Sequence, residues 1–151
     1  MKRDLIIDTT KKIGDTVTIY GWINNRRDHG RLIFIDLKDR SGAIQCVFSP
    51  VTKGFEKAKK LRPQWTVKLT GFVKKRPEKL INPDLPTGEV ELEVVELEIL
   101  SRAQELPIDI SSPEMRLNLE TLLDLRNLTI RNEKVKAIFI VFDELLRSFE
   151  K

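Results

Sequence analysis

Arg31-Leu32-Ile33-Phe34-Ile35-Asp36-Leu37-Lys38 and Gly42-Ala43-Ile44-Gln45-Cys46-Val47-Phe48, joined by Asp39-Arg40-Ser41, decide the fold. Ile33, Ile35 and Leu37 alternate with Leu32, Phe34, Asp36 and Lys38. Ile44, Cys46 and Phe48 alternate with Ala43, Gln45 and Val47. A period of two marks a half-buried strand, and Asp-Arg-Ser-Gly is turn chemistry. A turn that sets Asp39 opposite Gly42 fixes the register: Asp36 faces Gln45 and Phe34 faces Val47. The apolar sets turn to a core. Phe34 and Gln45 then share the outer face as diagonal neighbours, within about 7–8 Å.

Working outward, residues 16–27 are rich in β-branched and aromatic types, and residues 65–74 and 90–100 alternate again. The last of these slips at Val94-Val95, which switches its apolar face as a bulge does. Residues 53–62 hold helix formers and predict a short helix; residues 75–89 carry three prolines and Thr87-Gly88 and predict a long loop. Five strands with a helix between the third and fourth predict an all-β fold with added helices: a small closed barrel of the OB type over residues 1–102. Leu106-Pro107 and Ser112-Pro113 mark a hinge or linker over 103–131, with a turn or two of helix within 113–125. In residues 132–151, Val135, Ile138, Phe139, Phe142, Leu145, Leu146 and Phe149 fall at helical spacing and predict an amphipathic helix over 132–149.

The chain has 151 residues, enough for one domain with a short appendage. No apolar run approaches the ~20 residues of a membrane helix, and the charged Met1-Lys2-Arg3-Asp4 start lacks a signal-peptide core. A soluble cytoplasmic protein with no membrane partner is expected. One cysteine, Cys46, and one histidine, His29, make neither an internal disulfide nor a Cys/His metal site, so no metal is expected. The seven glycines never stand within two positions of one another, so no Gly-x-Gly phosphate loop exists. Asp28 and His29 have no convincing nucleophile beside them, and no catalytic residue is assigned. Residues 1–80 carry 19 Lys/Arg against 8 Asp/Glu, whereas residues 81–151 carry 8 against 15. A basic first part fits a polyanionic partner, or simply a solvated charged surface.

An outward aromatic beside a side-chain amide, on the second and third strands, sits where OB barrels bind oligonucleotides. A phenyl ring gives an unpaired base a stacking platform worth about 1–3 kcal/mol, and Gln45 offers both a donor and an acceptor to a base edge. The plainer alternative has Phe34 covered by the N-terminal segment or tail helix, with Gln45 satisfying backbone. Arg26, Arg27 and Arg31 flank the first turn, and Lys74, Lys75, Arg76 and Lys79 cluster after the fourth strand. Both groups suit phosphate, or form an ordinary wet rim. Glu91 opens the fifth strand, where its carboxylate suits a cytosine amino group or is one of four alternating glutamates on a solvated face.

Several motifs in order resemble the anticodon-binding domain of aspartyl-tRNA synthetases: Gly21-Trp22-Ile23-Asn24, Arg26-Arg27-Asp28-His29-Gly30, Phe34 to Arg40, Gly42, Gln45, and the Asn82-Pro83-Asp84-Leu85-Pro86-Thr87-Gly88-Glu89-Val90-Glu91 loop. Leu123-Asp124-Leu125-Arg126, Arg131-Asn132-Glu133 and Ala137-Ile138-Phe139 are similar to that family's hinge and the start of its motif 1 helix. The resemblance implies binding of tRNA through the anticodon stem-loop, GUC for aspartate. Phe34 and Gln45 match the residues that hold the central uridine, Arg27 the arginine of the first hairpin that touches the loop, and Arg76 and Glu91 those flanking the first and third bases. Asn82 lies in the matched loop. His29 matches a turn position where histidine accompanies acceptance of asparagine tRNA as well. The ATP-binding and glycine-rich catalytic motifs of the family are absent here, so this chain is expected to be inactive alone. ATP and Mg are expected only for a catalytic domain, and dimerisation only for the parent synthetase through motif 1. The rival readings are an asparaginyl-tRNA synthetase module, a sequence-tolerant single-strand-binding protein, and an interaction module that docks through the 132–149 helix.

Overall fold

The computed structural model describes residues 3–110, 112 and 114–150. The chain divides after Glu105 into two compact units. The first is built from β1 (Thr16–Asp28), β2 (Ile33–Asp39), β3 (Gly42–Phe48), the short helix α1 (Phe55–Ala58), β4 (Thr66–Lys75) and β5 (Val90–Ser101). The strands close into a barrel in the order β1-β2-β3-β5-β4, with β4 returning to β1. Among the five strands β3–β5 pairs parallel and the other pairings are antiparallel. Closure rests on the short β3–β5 pairing of Gln45–Val47 with Glu91–Glu93.

The alternation read from the sequence is the alternation of burial. In β2 every second residue from Ile33 is buried. Ile33, Ile35, Leu37, Ile44, Cys46 and Phe48 meet Ile19, Ile23, Val67, Leu69 and Leu92 in one core. Each large apolar side chain so buried contributes about 1.5–3 kcal/mol. The β2–β3 register places Asp39 opposite Gly42, Asp36 opposite Gln45 and Phe34 opposite Val47, as the turn chemistry predicts. The slip in the fifth strand is a bulge: Thr70 pairs with Glu96 and Gly71 with Val94, so Val95 is the extra residue. Val94 and Leu97 point inward while Val95 and Glu96 are exposed. The predicted helix over 53–62 contracts to the single turn of α1, with Ala58 and Leu61 carried into the core.

A 3-10 turn over Ile6–Lys11, absent from the sequence reading, seals the barrel. Its Ile6 is fully buried, and the Ile6 N–H donates to Asp39 Oδ2 at 3.1 Å. Asp39 Oδ1 accepts from the Ser41 backbone and hydroxyl at 2.7 and 2.6 Å. A residue read only as a turn former is therefore a buried clamp that ties the N-terminal segment to the β2–β3 hairpin.

The second unit holds α2 (Leu119–Asp124), α3 (Arg126–Thr129) and α4 (Glu133–Phe149). The helical turns expected within 113–125 appear as α2, capped by Asn118 Oδ1, which accepts from the Thr121 N–H at 2.8 Å. Pro113, read as part of the hinge, lies outside the described residues. α4 matches the predicted helix. Asn132 caps it, accepting from the Lys134 N–H at 3.0 Å while its Nδ2 donates to the Ser112 carbonyl at 2.8 Å. Its apolar residues beyond Val135, Phe142, Leu146 and Phe149 among them, are exposed.

Candidate nucleic-acid interface

Strand register brings distant stretches of sequence onto one outer face. Asp36 pairs with Gln45 across β2–β3, Gln45 with Glu91 across β3–β5, and Glu91 with Lys74 across β5–β4. One step along the strands, Arg27 pairs with Phe34, Phe34 with Val47, Val47 with Glu93, and Glu93 with Phe72. Phe34, Asp36, Gln45, Val47, Glu91, Glu93 and Phe72 lie outside because their neighbours in sequence turn inward, and Arg27 and Lys74 lie toward the ends of their strands.

A run of polar contacts crosses this face. Arg27 Nη2 donates to Asp36 Oδ1 at 2.9 Å and to Gln45 Oε1 at 3.3 Å. Gln45 Nε2 donates to Glu91 Oε2 at 3.2 Å. The same Glu91 oxygen stands 3.9 Å from Arg76 Nε, an ion pair too long for a hydrogen bond. Among the described residues, Arg76 Nε is a buried side-chain donor without a hydrogen-bond partner. Such a group is costly unless something accepts from it.

Phe34 stands beside this run. It is half-buried, and His29 approaches it edge-on, ring centroids 5.5 Å apart and planes at 82°. That arrangement suits the ring quadrupole and leaves one aromatic supporting the other. The turn that carries His29 is held by the His29 N–H, which donates to the Leu32 carbonyl at 2.9 Å, and by Asp28 Oδ1, which accepts from the Gly30 N–H at 3.1 Å. Gly30 has φ +72°, a conformation that favours glycine.

The 75–89 stretch is a structured loop at the edge of the face. Asn82 Oδ1 accepts from the Asp84 N–H at 3.0 Å, and the Asn82 carbonyl accepts from the Leu85 N–H at 3.4 Å. The Asn82 N–H donates to the Gly88 carbonyl at 3.2 Å. A Cβ on Gly88 would sit 1.8 Å from the Asn82 carbonyl oxygen, so only glycine closes this loop. The buried Thr87 hydroxyl donates to the Ala43 carbonyl and pins the loop to the start of β3. The side-chain oxygen of Asn82 is thus committed to the loop's own turn, whereas Arg27, Gln45, Arg76 and Glu91 form one contiguous set with Phe34 and His29 at its side.

Two contributors escaped the sequence reading as site residues. Asp36 holds the Arg27 guanidinium; its signal was its place on the Phe34 face, opposite Gln45. Thr87 holds the loop, and only the turn composition hinted at it. Of the basic residues, Arg26 Nη1 donates to the Lys59 carbonyl at 2.5 Å, and Lys74 Nζ pairs with Glu93 at 2.5 Å. Arg31, Lys75 and Lys79 are exposed. Cys46 plays no part in the face: it is fully buried, and burial pushes its thiol pKa up.

A family profile described as an OB-fold nucleic acid binding domain, the tRNA anticodon type, matches residues 17–100. Curated relatives include the aspartate–tRNA(Asp/Asn) ligase of Cyanothece sp., 43% identical over 83% of this chain and 24% of the relative. The ligase of the same name from Halothermothrix orenii is 42% identical over 85% of this chain and 22% of the relative. The chain thus spans about a quarter of the length of the curated relatives it matches. Among solved structures, the asparaginyl-tRNA synthetase of Pyrococcus horikoshii complexed with asparaginyl-adenylate superposes with a TM-score of 0.79 at 31% identity, over 97% of this chain and 33% of that one. The aspartyl-tRNA synthetase of Entamoeba histolytica shares the fold, with a TM-score of 0.79 at 22% identity over 99% of this chain and 38% of that one.

Proposed function

The chain belongs to the OB-fold nucleic acid binding family of tRNA anticodon-binding domains, in the form carried by aspartyl- and asparaginyl-tRNA synthetases, and on that premise we propose that its outer β2-β3-β5 face reads the anticodon loop of aspartate tRNA. The observation that carries this reading is the contiguous set Arg27–Gln45–Glu91–Arg76 beside Phe34. An unpaired central uridine stacks on the Phe34 ring, which His29 supports in a T-shaped pair. Gln45 then exchanges its contacts with Arg27 and Glu91 for the donor and acceptor of that base. Glu91 accepts from the amino group of cytosine, a pairing worth about 1–3 kcal/mol against the wrong base. Arg76 supplies its Nε, a donor that lacks a hydrogen-bond partner in the free protein. Arg31, Lys75 and Lys79 add phosphate contacts that strengthen binding without reading sequence. Asn82 shapes the loop at the rim.

In this reading the chain is the anticodon module of an aspartate–tRNA ligase, a cytoplasmic enzyme of protein synthesis whose catalysis lies elsewhere and whose dimer forms through motif 1, of which this chain carries the start. ATP and Mg enter only through the catalytic part of the ligase, and no readout step uses them. The names of the curated relatives, aspartate–tRNA(Asp/Asn) ligases, favour a wider second reading in which GUU of asparagine tRNA is accepted with GUC. His29 at the turn supports the same reading.

Fluorescence anisotropy with anticodon stem-loops bearing GUC, GUU and a scrambled triplet, at one salt concentration, tests both. Preference for GUC that is lost in Phe34→Ala and Gln45→Ala supports the first reading. Equal binding of GUC and GUU above the scramble supports the second. Equal binding of all three rejects sequence readout and leaves a sequence-tolerant single-strand binder.

A further inference from the structure

We propose that Phe72 is a second stacking platform, for an unpaired loop nucleotide outside the triplet. This rests on the reading of the Phe34 face given above.

Phe72 lies on the outer side of β4, where Val67, Leu69, Gly71 and Val73 fill the core. It is 44% exposed. Its row in the sheet runs Phe34–Val47–Glu93–Phe72, so the two rings stand three strand spacings apart on one continuous surface. At about 4.8 Å per spacing that is roughly 14 Å. The distance is too great for one base to touch both rings, but a strand that leaves Phe34 across β3 and β5 arrives at Phe72.

The surroundings suit a nucleotide. Glu93, the one acidic neighbour in the row, is paired with Lys74 Nζ at 2.5 Å. Lys74 is the next outward residue along β4, and Lys75 is exposed beside it. On the other side the β1 partner of Phe72 is Thr16, small and exposed. The ring therefore has an open face next to cationic side chains, the combination that binds single strands through stacking and backbone charge. The continuity of this row with the Phe34 face selects RNA as the occupant.

The test is anisotropy on the full chain with the GUC stem-loop, using Phe72→Ala, Phe72→Leu and Phe72→Tyr, with Phe34→Ala alongside and an abasic site placed at each loop position in turn. The expected result is an affinity about tenfold lower for the Ala and Leu variants, by the usual worth of a stacked base. The Tyr variant retains wild-type binding. An abasic site at one position outside the triplet matches the loss and makes Phe72→Ala silent. Unchanged binding by Phe72→Ala while Phe34→Ala weakens it overturns the Phe72 proposal and leaves the anticodon reading in place. Indifference to both variants overturns the two together. A loss in Phe72→Ala that no abasic position reproduces also overturns the proposal. Because Phe72 is exposed, circular dichroism of each variant is expected to match the wild type.

Discussion

Gln45 Nε2 donates to Glu91 Oε2 at 3.2 Å across the parallel pairing of β3 with β5, which joins residues 46 positions apart in sequence. The contact fixes which end of the amide faces which neighbour, with Oε1 turned to Arg27. Glu91 therefore both orients Gln45 and presents its own acceptor. Glu91→Gln keeps the shape but adds a donor where cytosine needs an acceptor. We expect about tenfold weaker binding of the GUC stem-loop, with a smaller loss for a triplet that lacks cytosine. Anisotropy against both stem-loops checks this, and equal losses on both would reject direct reading of cytosine by Glu91.

Asp36 acts through Arg27. Their contact at 2.9 Å is partly exposed, so its worth to folding is below about 1 kcal/mol. On the proposed reading, its worth to recognition lies in presetting Arg27 and Gln45 before the base takes over the contacts of Gln45. Asp36→Asn is expected to leave the thermal midpoint nearly unchanged and to narrow the ratio of GUC to scrambled binding. Titration of both stem-loops separates this from a general loss, because an unaltered ratio would make Asp36 a surface residue only.

The hairpin of β2 and β3 was legible because its cause is local: alternating side chains and a turn of fixed length leave one register that buries Ile33, Ile35 and Leu37. The bulge at Val95 was legible for the same reason. Asp39 as a clamp on Ile6 was not, because nothing near Asp39 in sequence distinguishes a turn aspartate from one that meets a segment 33 residues away. The site divides similarly. Phe34 with Gln45 followed from register, whereas the contact of Gln45 with Glu91 required the parallel β3–β5 pairing that closes the barrel.

At Gly71, β4 and β5 approach with no side chain between them. A Cβ on Gly71 would fall 2.2 Å from the Glu93 carbonyl oxygen, a backbone atom that cannot turn aside. Gly71→Ala is expected to cost about 3 kcal/mol or more. Gly14→Asn is the contrast. At φ +89° with open space around it, it needs only a residue that tolerates left-handed backbone, and the cost is about 1 kcal/mol or less. Urea unfolding of both variants checks the order, and comparable costs would reject the close-approach argument.

Cys46 gives a pH prediction with a definite sign. Burial raises its thiol pKa far above the ordinary value of 9.0, so the native thiol stays protonated in alkali while the unfolded one ionises. From about pH 9 upward the unfolded state binds fewer protons than the native state, and stability falls by about 1.4 kcal/mol per pH unit from this group. Cys46→Ala removes that contribution. The variant is less stable at pH 7 because it leaves a small cavity, but its stability declines less steeply from pH 9 to pH 10.5. Urea unfolding of the two proteins across that range decides the matter, since parallel declines would show that Cys46 does not govern alkaline stability. The same burial predicts that the native thiol resists thiol-specific reagents until the barrel opens, so its modification rate reports opening of the β2–β3–β5 wall that carries the proposed interface.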